Sequence, residues 1–309
     1  MAEFSLLQYL YLKIVITLSR WSAYPFMRSL FKAPNSNRTL IQIPSRDPTR
    51  FIKAWIHSPP NHSESTPGLL INWHGSGFIL PSLGMDHEFC DRMAHEAGVV
   101  VLDADYRKAP EHPFPAPVED VEDVLKWAED QPDRFDLSRI AVSGFSAGGN
   151  LALVAASELR GHFKRINIKA AYAFYPLVDL ERNPELKKVP NPINPFPVFS
   201  LRLFATCYVP RAEERTNPRV SPTFADPALF PDTTIIITCS ADNLSPEAEE
   251  MGQKLKAGGA NVEVVQLENA AHGFDKDAKP GSDAFKQREM TYLKVAEDLR
   301  KPLRMGRRF

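Results

Sequence analysis

The chain has 309 residues, 43% of them hydrophobic and 24% charged, with a net charge of −1. That is the composition of a globular protein large enough for one extensive core. The charge balance excludes nucleic acid or an acidic membrane surface as a main partner, since both select basic faces. Three cysteines, Cys90, Cys207 and Cys239, lie far apart without metal-binding spacing, which predicts buried apolar side chains in a reducing compartment.

The first predicted element is an apolar run, Phe4–Leu18. It is shorter than the roughly 20 residues of a membrane-spanning helix, Lys13 interrupts it, and no basic segment precedes it as in a signal peptide. Leu6, Leu10, Ile14 and Leu18 share one helical face, which predicts an amphipathic helix packed on the body. Tyr9, Tyr11, Trp21 and Tyr24 flank the run, so peripheral contact with a membrane surface is the rival expectation.

Strand signals follow at Phe51–Ile56, Leu69–Trp73, Val99–Leu102, Ile140–Val142, Ala170–Phe174, Thr234–Thr238 and Val262–Leu267. Helical patterns alternate with them at 85–96, 117–129, 147–160, 246–257 and 283–300. Alternation of this kind builds a largely parallel sheet with helices on both faces. Two regions do not fit: the first forty or so residues, and a stretch with ten prolines between Pro184 and Pro231 that no central strand or long helix accommodates. Both are expected above the carboxyl ends of the strands, where open α/β sheets bind ligands.

The sequence Val142-Ser143-Gly144-Phe145-Ser146-Ala147-Gly148-Gly149-Asn150 joins a strand to a helix and contains G-x-S-x-G. A turn that sharp accepts only small residues two before and two after the serine, here Gly144 and Gly148. Ser146 is thereby presented at a helix N-terminus, where the Ala147 amide and the helix dipole face developing negative charge. A serine nucleophile needs a base oriented by an acid, in the chain order serine, acid, histidine. His272, in "ENAAHGFDK" after the last strand, is the candidate base, and Asp242, just after Thr234–Thr238, the candidate acid. Glu247 and Asp275 are the rival acids, one on the following helix and the other too close behind His272. His74-Gly75-Ser76-Gly77-Phe78 follows a buried strand, so Gly75 and Ser76 are expected to complete an oxyanion hole with Ala147, while His74 and Gly77 hold the loop.

Taken together, "HGSGF", "DADYRKAPEHPFPAPVED" (Asp103–Asp120), "GFSAGGN", "SADNL" and "AHGF" resemble the hormone-sensitive-lipase-like carboxylesterases of the α/β-hydrolase fold over about residues 50–300. The resemblance implies an α/β-hydrolase core of about eight mostly parallel strands over 50–180 and 231–305. It also implies a cap made from N-terminal helices and lead-in (1–50) and an insertion (181–230). It implies a small-molecule ester as partner, of short to medium acyl chain or an acetylated or lactone compound, with no metal or organic cofactor. Phe196, Phe199, Leu201, Leu203 and Phe204 are expected to give that cap an apolar substrate face. Three departures stand out. Ser76 replaces a glycine of HGGG, with strain expected if that position has positive φ. Phe145 replaces the aspartate beside the nucleophile, and Pro246 follows Asn243-Leu244 where a further aspartate is usual. The alternative function is a non-catalytic small-molecule receptor on the same fold, disfavoured because His272 is retained. Sequons occur at Asn37, Asn61 and Asn243, the last beside the candidate acid where a glycan would block chemistry. That favours a cytoplasmic protein, with the apolar N-terminus and the basic tail Arg300–Arg308 as possible membrane contacts.

Overall fold

The computed structural model describes residues 4–30, 37–60 and 66–303. Asn61 and the tail beyond residue 303 lie outside them. The eight strands are β1 (Arg38–Pro44), β2 (Phe51–His57), β3 (Leu69–Trp73), β4 (Val100–Ala104), β5 (Ile140–Phe145), β6 (Ile168–Phe174), β7 (Thr233–Cys239) and β8 (Val262–Leu267). They form one sheet in the order β1-β2-β4-β3-β5-β6-β7-β8. β1, β2 and β4 pair antiparallel; from β4 through β8 the pairing is parallel. All seven predicted strands are present. The eighth, β1, lies within the stretch expected to be cap helices and lead-in. It is an edge strand whose only buried apolar side chain toward its C-terminal end is Ile43, so its alternation signal is weak.

The helices are α1 (Leu6–Leu30), α2 (His87–Ala97), α3 (Ala116–Glu129), α4 (Ala147–Ala156), α5 (Val198–Tyr208), α6 (Ser245–Ala257) and α7 (Asp283–Leu303). Of these, α2, α3, α4, α6 and α7 cover the two faces of the sheet, which is why β3, β4 and β5 are buried along their whole length. Alternate strand residues divide between two cores. Leu69, Ile71 and Val142 pack with α3 and α4, whereas Leu70, Val101 and Ala141 pack with α2 and α7. α5 occupies the proline-free window between Pro197, at its N-terminus, and Pro210. Other prolines of that segment (Pro184, Pro222, Pro227) open single 3₁₀ turns.

α1 packs on the body, but with the face opposite to the predicted one. Leu12, Ile16 and Met27 are buried, whereas Leu6, Leu10, Ile14 and Leu18 are exposed. The helix is apolar on both sides, so its cations decide the orientation. Arg20 grips the Glu111 carboxylate with two nitrogens at 2.6 and 2.8 Å and also donates to the carbonyls of Ile79 and Ala109. Lys13 Nζ reaches the same carboxylate at 2.6 Å. Burial raises the Glu111 carboxyl, but the hydrogen bonds from Arg20 and Lys13 outweigh it and hold it down at about 2, below its ordinary 4.5. A depressed folded-state pKa stabilises above the unfolded value, and that stabilisation is lost as pH falls from 4.5 through about 2. Hydrogen-exchange mass spectrometry, corrected for intrinsic rates, is expected to show α1 losing protection in that acid window. Glu111→Gln is expected to show the loss already at neutral pH; full protection in the variant would refute the anchor.

Candidate active site

Ser146 is the single residue between β5 and α4. Its φ of 52° and ψ of −116° lie where non-glycine residues are strained. Its neighbours have no room for side chains. A Cβ on Gly144 would stand 2.1 Å from the Gly148 oxygen, and one on Gly148 1.9 Å from the Trp73 oxygen. Ala147 opens α4, so its amide belongs to the unpaired first turn of the helix. Asn150, one turn on, donates through Nδ2 to the carbonyls of Leu177 and Val220 at 2.8 Å each, tying the turn to the segments above it.

The loops after β7 and β8 bring Asp242 and His272 to this serine. His272 Nε2 lies 2.9 Å from Ser146 Oγ, and His272 Nδ1 lies 2.7 Å from Asp242 Oδ2. Asp242 is 1% exposed, and its other oxygen accepts from the Leu244 amide at 3.0 Å. A carboxylate on Nδ1 holds the proton there and leaves the Nε2 lone pair for the serine. The rival acids are committed elsewhere. Glu247 forms a buried pair with Lys187 and accepts from the Val178 amide at 3.0 Å. Asp275 accepts from the hydroxyls of Tyr175 and Tyr292, both at 2.6 Å, and from Lys276 at 2.8 Å. Burial raises the Asp275 carboxyl, and Lys276 and the two tyrosines more than offset it, keeping it ionised.

Gly75 abuts the serine turn so closely that a Cβ there would lie 3.3 Å from Ser146 Cβ. Gly75 and Ser76 face the same pocket as Ser146 and His272. Ser76 is not among the positive-φ residues; that conformation falls on its successors, Gly77 (φ 56°), which adopts it without strain, and Phe78 (φ 63°). Ser76 Oγ is 2.6 Å from the Tyr106 hydroxyl and accepts from the Phe78 amide at 2.9 Å. Tyr106 in turn donates to the His74 carbonyl at 2.8 Å, and its ring stacks on His74 at 4.8 Å. His74 Nε2 meets Asp105 at 3.1 Å. His74 is thus held by Asp105 and Tyr106 of the Asp103–Asp120 block and braces the loop. Asp120 closes the block by receiving Arg50 and Arg107.

The pocket encloses about 270 Å³. Ala23, Phe26 and Met27 of α1 roof one side, and Phe196, Leu201 and Phe204 the other. Two residues expected here point elsewhere: Phe199 is exposed, and Leu203 packs against the buried side of α1. Three contributors were not singled out from sequence. Tyr175 sets its ring 4.6 Å from His272. Asn243, the sequon residue, is buried and clamps Phe196 in both directions, accepting from its amide at 3.2 Å and donating to its carbonyl at 3.0 Å. Phe196 thereby lies edge-on to His272 at 4.7 Å. Lys276, bonded to Asp86 at 2.7 Å, holds its ammonium 3.4 Å from the centre of the Phe145 ring. Phe145, in place of the usual aspartate, thus supplies the face under a buried cation.

A family profile described as alpha/beta hydrolase fold matches residues 70–276. The chain belongs to the hormone-sensitive-lipase-like carboxylesterases. Among its relatives, an ethyl acetate hydrolase of Pseudomonas putida is 26% identical over 223 residues, 71% of this chain and 70% of that one. The carboxylic ester hydrolase LipN of Mycobacterium tuberculosis is 31% identical over 232 residues, 71% of this chain and 60% of its own length. Among solved structures, the thermophilic carboxylesterase EstE1, cloned from a metagenomic library, superposes with a TM-score of 0.81 at 27% identity, covering 94% of this chain and 98% of that one. This carboxylesterase is accordingly an ester hydrolase on the α/β-hydrolase fold.

Proposed function

We propose that the enzyme cleaves carboxylic esters through an acyl-enzyme on Ser146. Ser146 Oγ attacks the ester carbonyl carbon while His272 Nε2 takes its proton, and the amides of Gly75, Ser76 and Ala147 receive the oxyanion. Collapse breaks the C–O bond to the alcohol, which leaves with the proton from His272. Water, deprotonated by His272, then attacks the acyl carbon and releases the acid and free Ser146. Asp242 keeps the imidazole tautomer throughout. The observation that carries this reading is the unbroken relay of 2.9 and 2.7 Å from Ser146 through His272 to Asp242. It also disfavours a receptor, which has no use for a base in contact with the serine. A space of about 270 Å³, just under the ~300–1,000 Å³ of drug-sized sites, favours short to medium acyl chains or compact acetylated or lactone substrates. The test is a fluorophosphonate probe followed by peptide mass spectrometry. Stoichiometric labelling of Ser146, abolished by prior incubation with a short ester, is the expected result; labelling elsewhere or none refutes the mechanism.

The outer face of α1 favours a lipid surface as the place where this enzyme meets apolar esters. Leu7, Leu10, Ile14, Leu18 and Trp21 are exposed on it, α1 contains no acidic residue, and Lys13 and Arg20 are turned inward to Glu111. From Leu7 to Trp21 the stripe is apolar and uncharged, and the exposed Arg28 continues it at the end of the helix. Such a face suits the interface of a bilayer, lying flat on it. Among the described residues no helix is long and apolar enough to cross a membrane. The protein is expected to cosediment with phosphatidylcholine vesicles at both low and high salt. Ile14→Glu with Leu18→Glu is expected to abolish this while leaving turnover of a soluble ester intact. No cosedimentation, with a dimer in light scattering, would assign the stripe to a second copy instead.

A further inference from the structure

Away from the pocket, β2, β4 and the first turn of α2 bring His57, Asp103 and His87 together. One ligand atom of each lies within 4.8 Å of the other two, and the three residues are 0%, 0% and 5% exposed respectively. His57 Nε2, His87 Nδ1 and Asp103 Oδ2 are buried without a hydrogen-bond partner among the described residues. Native interiors leave very few such atoms, because each one forfeits its hydration. Here three occur in one cluster.

Two of the groups are fixed from behind by hydrogen bonds, and the third packs against the chain. His57 Nδ1 meets Asp91 Oδ1 at 2.7 Å, which leaves Nε2 with the lone pair. Asp103 Oδ1 accepts from Asn72 Nδ2 at 2.9 Å. His87 Nε2 lies against Gly84, where an added Cβ would stand 2.9 Å away, so the ring is seated on backbone with Nδ1 on its other edge. Asp91 is also paired with Arg38, and Asp86 with Lys276, so the neighbouring carboxylates have their own cations. A histidine oriented by a carboxylate behind it is how proteins hold metal ligands.

We propose that His57, His87 and Asp103 form a three-ligand site for a divalent transition metal, zinc by its donor set, with water completing the shell. Two imidazoles and a carboxylate suit tetrahedral zinc bound at about 2.0–2.1 Å, and closing onto an ion draws the three atoms inward from their present spacing. The ligands do not line the pocket of Ser146. The metal's effect is structural: it joins the antiparallel part of the sheet to α2. Nothing in the chain announces the site, since the ligands fall on three separate elements with no recurrent spacing.

The test uses the full chain, stripped with EDTA and dialysed. Zinc titrated by calorimetry is expected to bind at about one equivalent and to raise Tm by about 5 °C or more. Cobalt(II) is expected to give the visible absorption of a tetrahedral nitrogen–oxygen site. Asp103→Asn and His87→Gln, checked for folding by circular dichroism, are expected to lose both signals while still hydrolysing a soluble ester. The wild-type cobalt spectrum decides even if neither variant folds. No zinc binding and no tetrahedral cobalt band in the wild type would overturn the proposal, leaving a buried water as the common partner of the three atoms. Unchanged binding in a folded variant would overturn it too, placing the metal elsewhere.

Discussion

Ser146→Ala is expected to lower kcat/KM on a short p-nitrophenyl ester by about four orders of magnitude or more, with circular dichroism unchanged. The size of the effect follows from how the relay works. Without Oγ, His272 has nothing to deprotonate, and only the oxyanion donors and substrate binding remain to accelerate attack by water. His272→Ala is expected to cost a similar factor, and the double variant little beyond either single one, since the residues act as a unit. The hydroxyl contributes a hydrogen bond to His272 and little packing, so the fold tolerates its removal. A variant retaining more than about a tenth of wild-type activity would move the nucleophile to another residue and leave the Ser146–His272 contact unexplained.

The largest loss of stability is expected from Gly148→Ala. The added carbon would sit 1.9 Å from the Trp73 oxygen and 2.6 Å from that of His74, both main-chain atoms of the strand and loop that carry Gly75 and Ser76. Backbone cannot swing aside as a side chain can. The clash must displace α4 or β3, at a cost above about 3 kcal/mol. Gly161→Ala is the control. A Cβ there meets nothing within 4 Å, and its φ is not in the left-handed region, so the substitution is expected to be neutral or to stabilise by up to about 1 kcal/mol. Urea unfolding of the two variants against the parent measures both. Equal midpoints for Gly148→Ala and the parent would mean that the turn can relax, and the steric account of the G-x-S-x-G pattern would fail.

The serine turn was readable in sequence because its steric demand is local: small residues at fixed offsets from Ser146, a strand before and a helix after. Asp242 and His272 were readable because each follows directly on a recognisable strand, so chain order stands in for distance. The face of α1 was not readable. Leu6, Leu10, Ile14 and Leu18 make a good helical row, but so do Leu12 and Ile16 on the other side. The choice between them rests on Glu111, a partner about a hundred residues away that periodicity cannot see. α5 was hidden by the prolines that bracket it, and β1 by having few buried side chains of its own. Asn243 shows a different limit. It reads as a glycan acceptor, yet folding uses both ends of its amide to hold Phe196.

Those inward cations on α1 also bear on how the chain is made. The helix is synthesised before everything it will rest on, and Glu111 follows Arg20 by 91 residues. At 5–20 residues per second, α1 waits roughly 5 to 20 s with both apolar faces uncovered before its anchor exists. The protein's own loop claims one face only late, when Glu111 has been made. The outer stripe remains exposed after docking is complete, so a partner that held only that face would leave the docking of the other undisturbed.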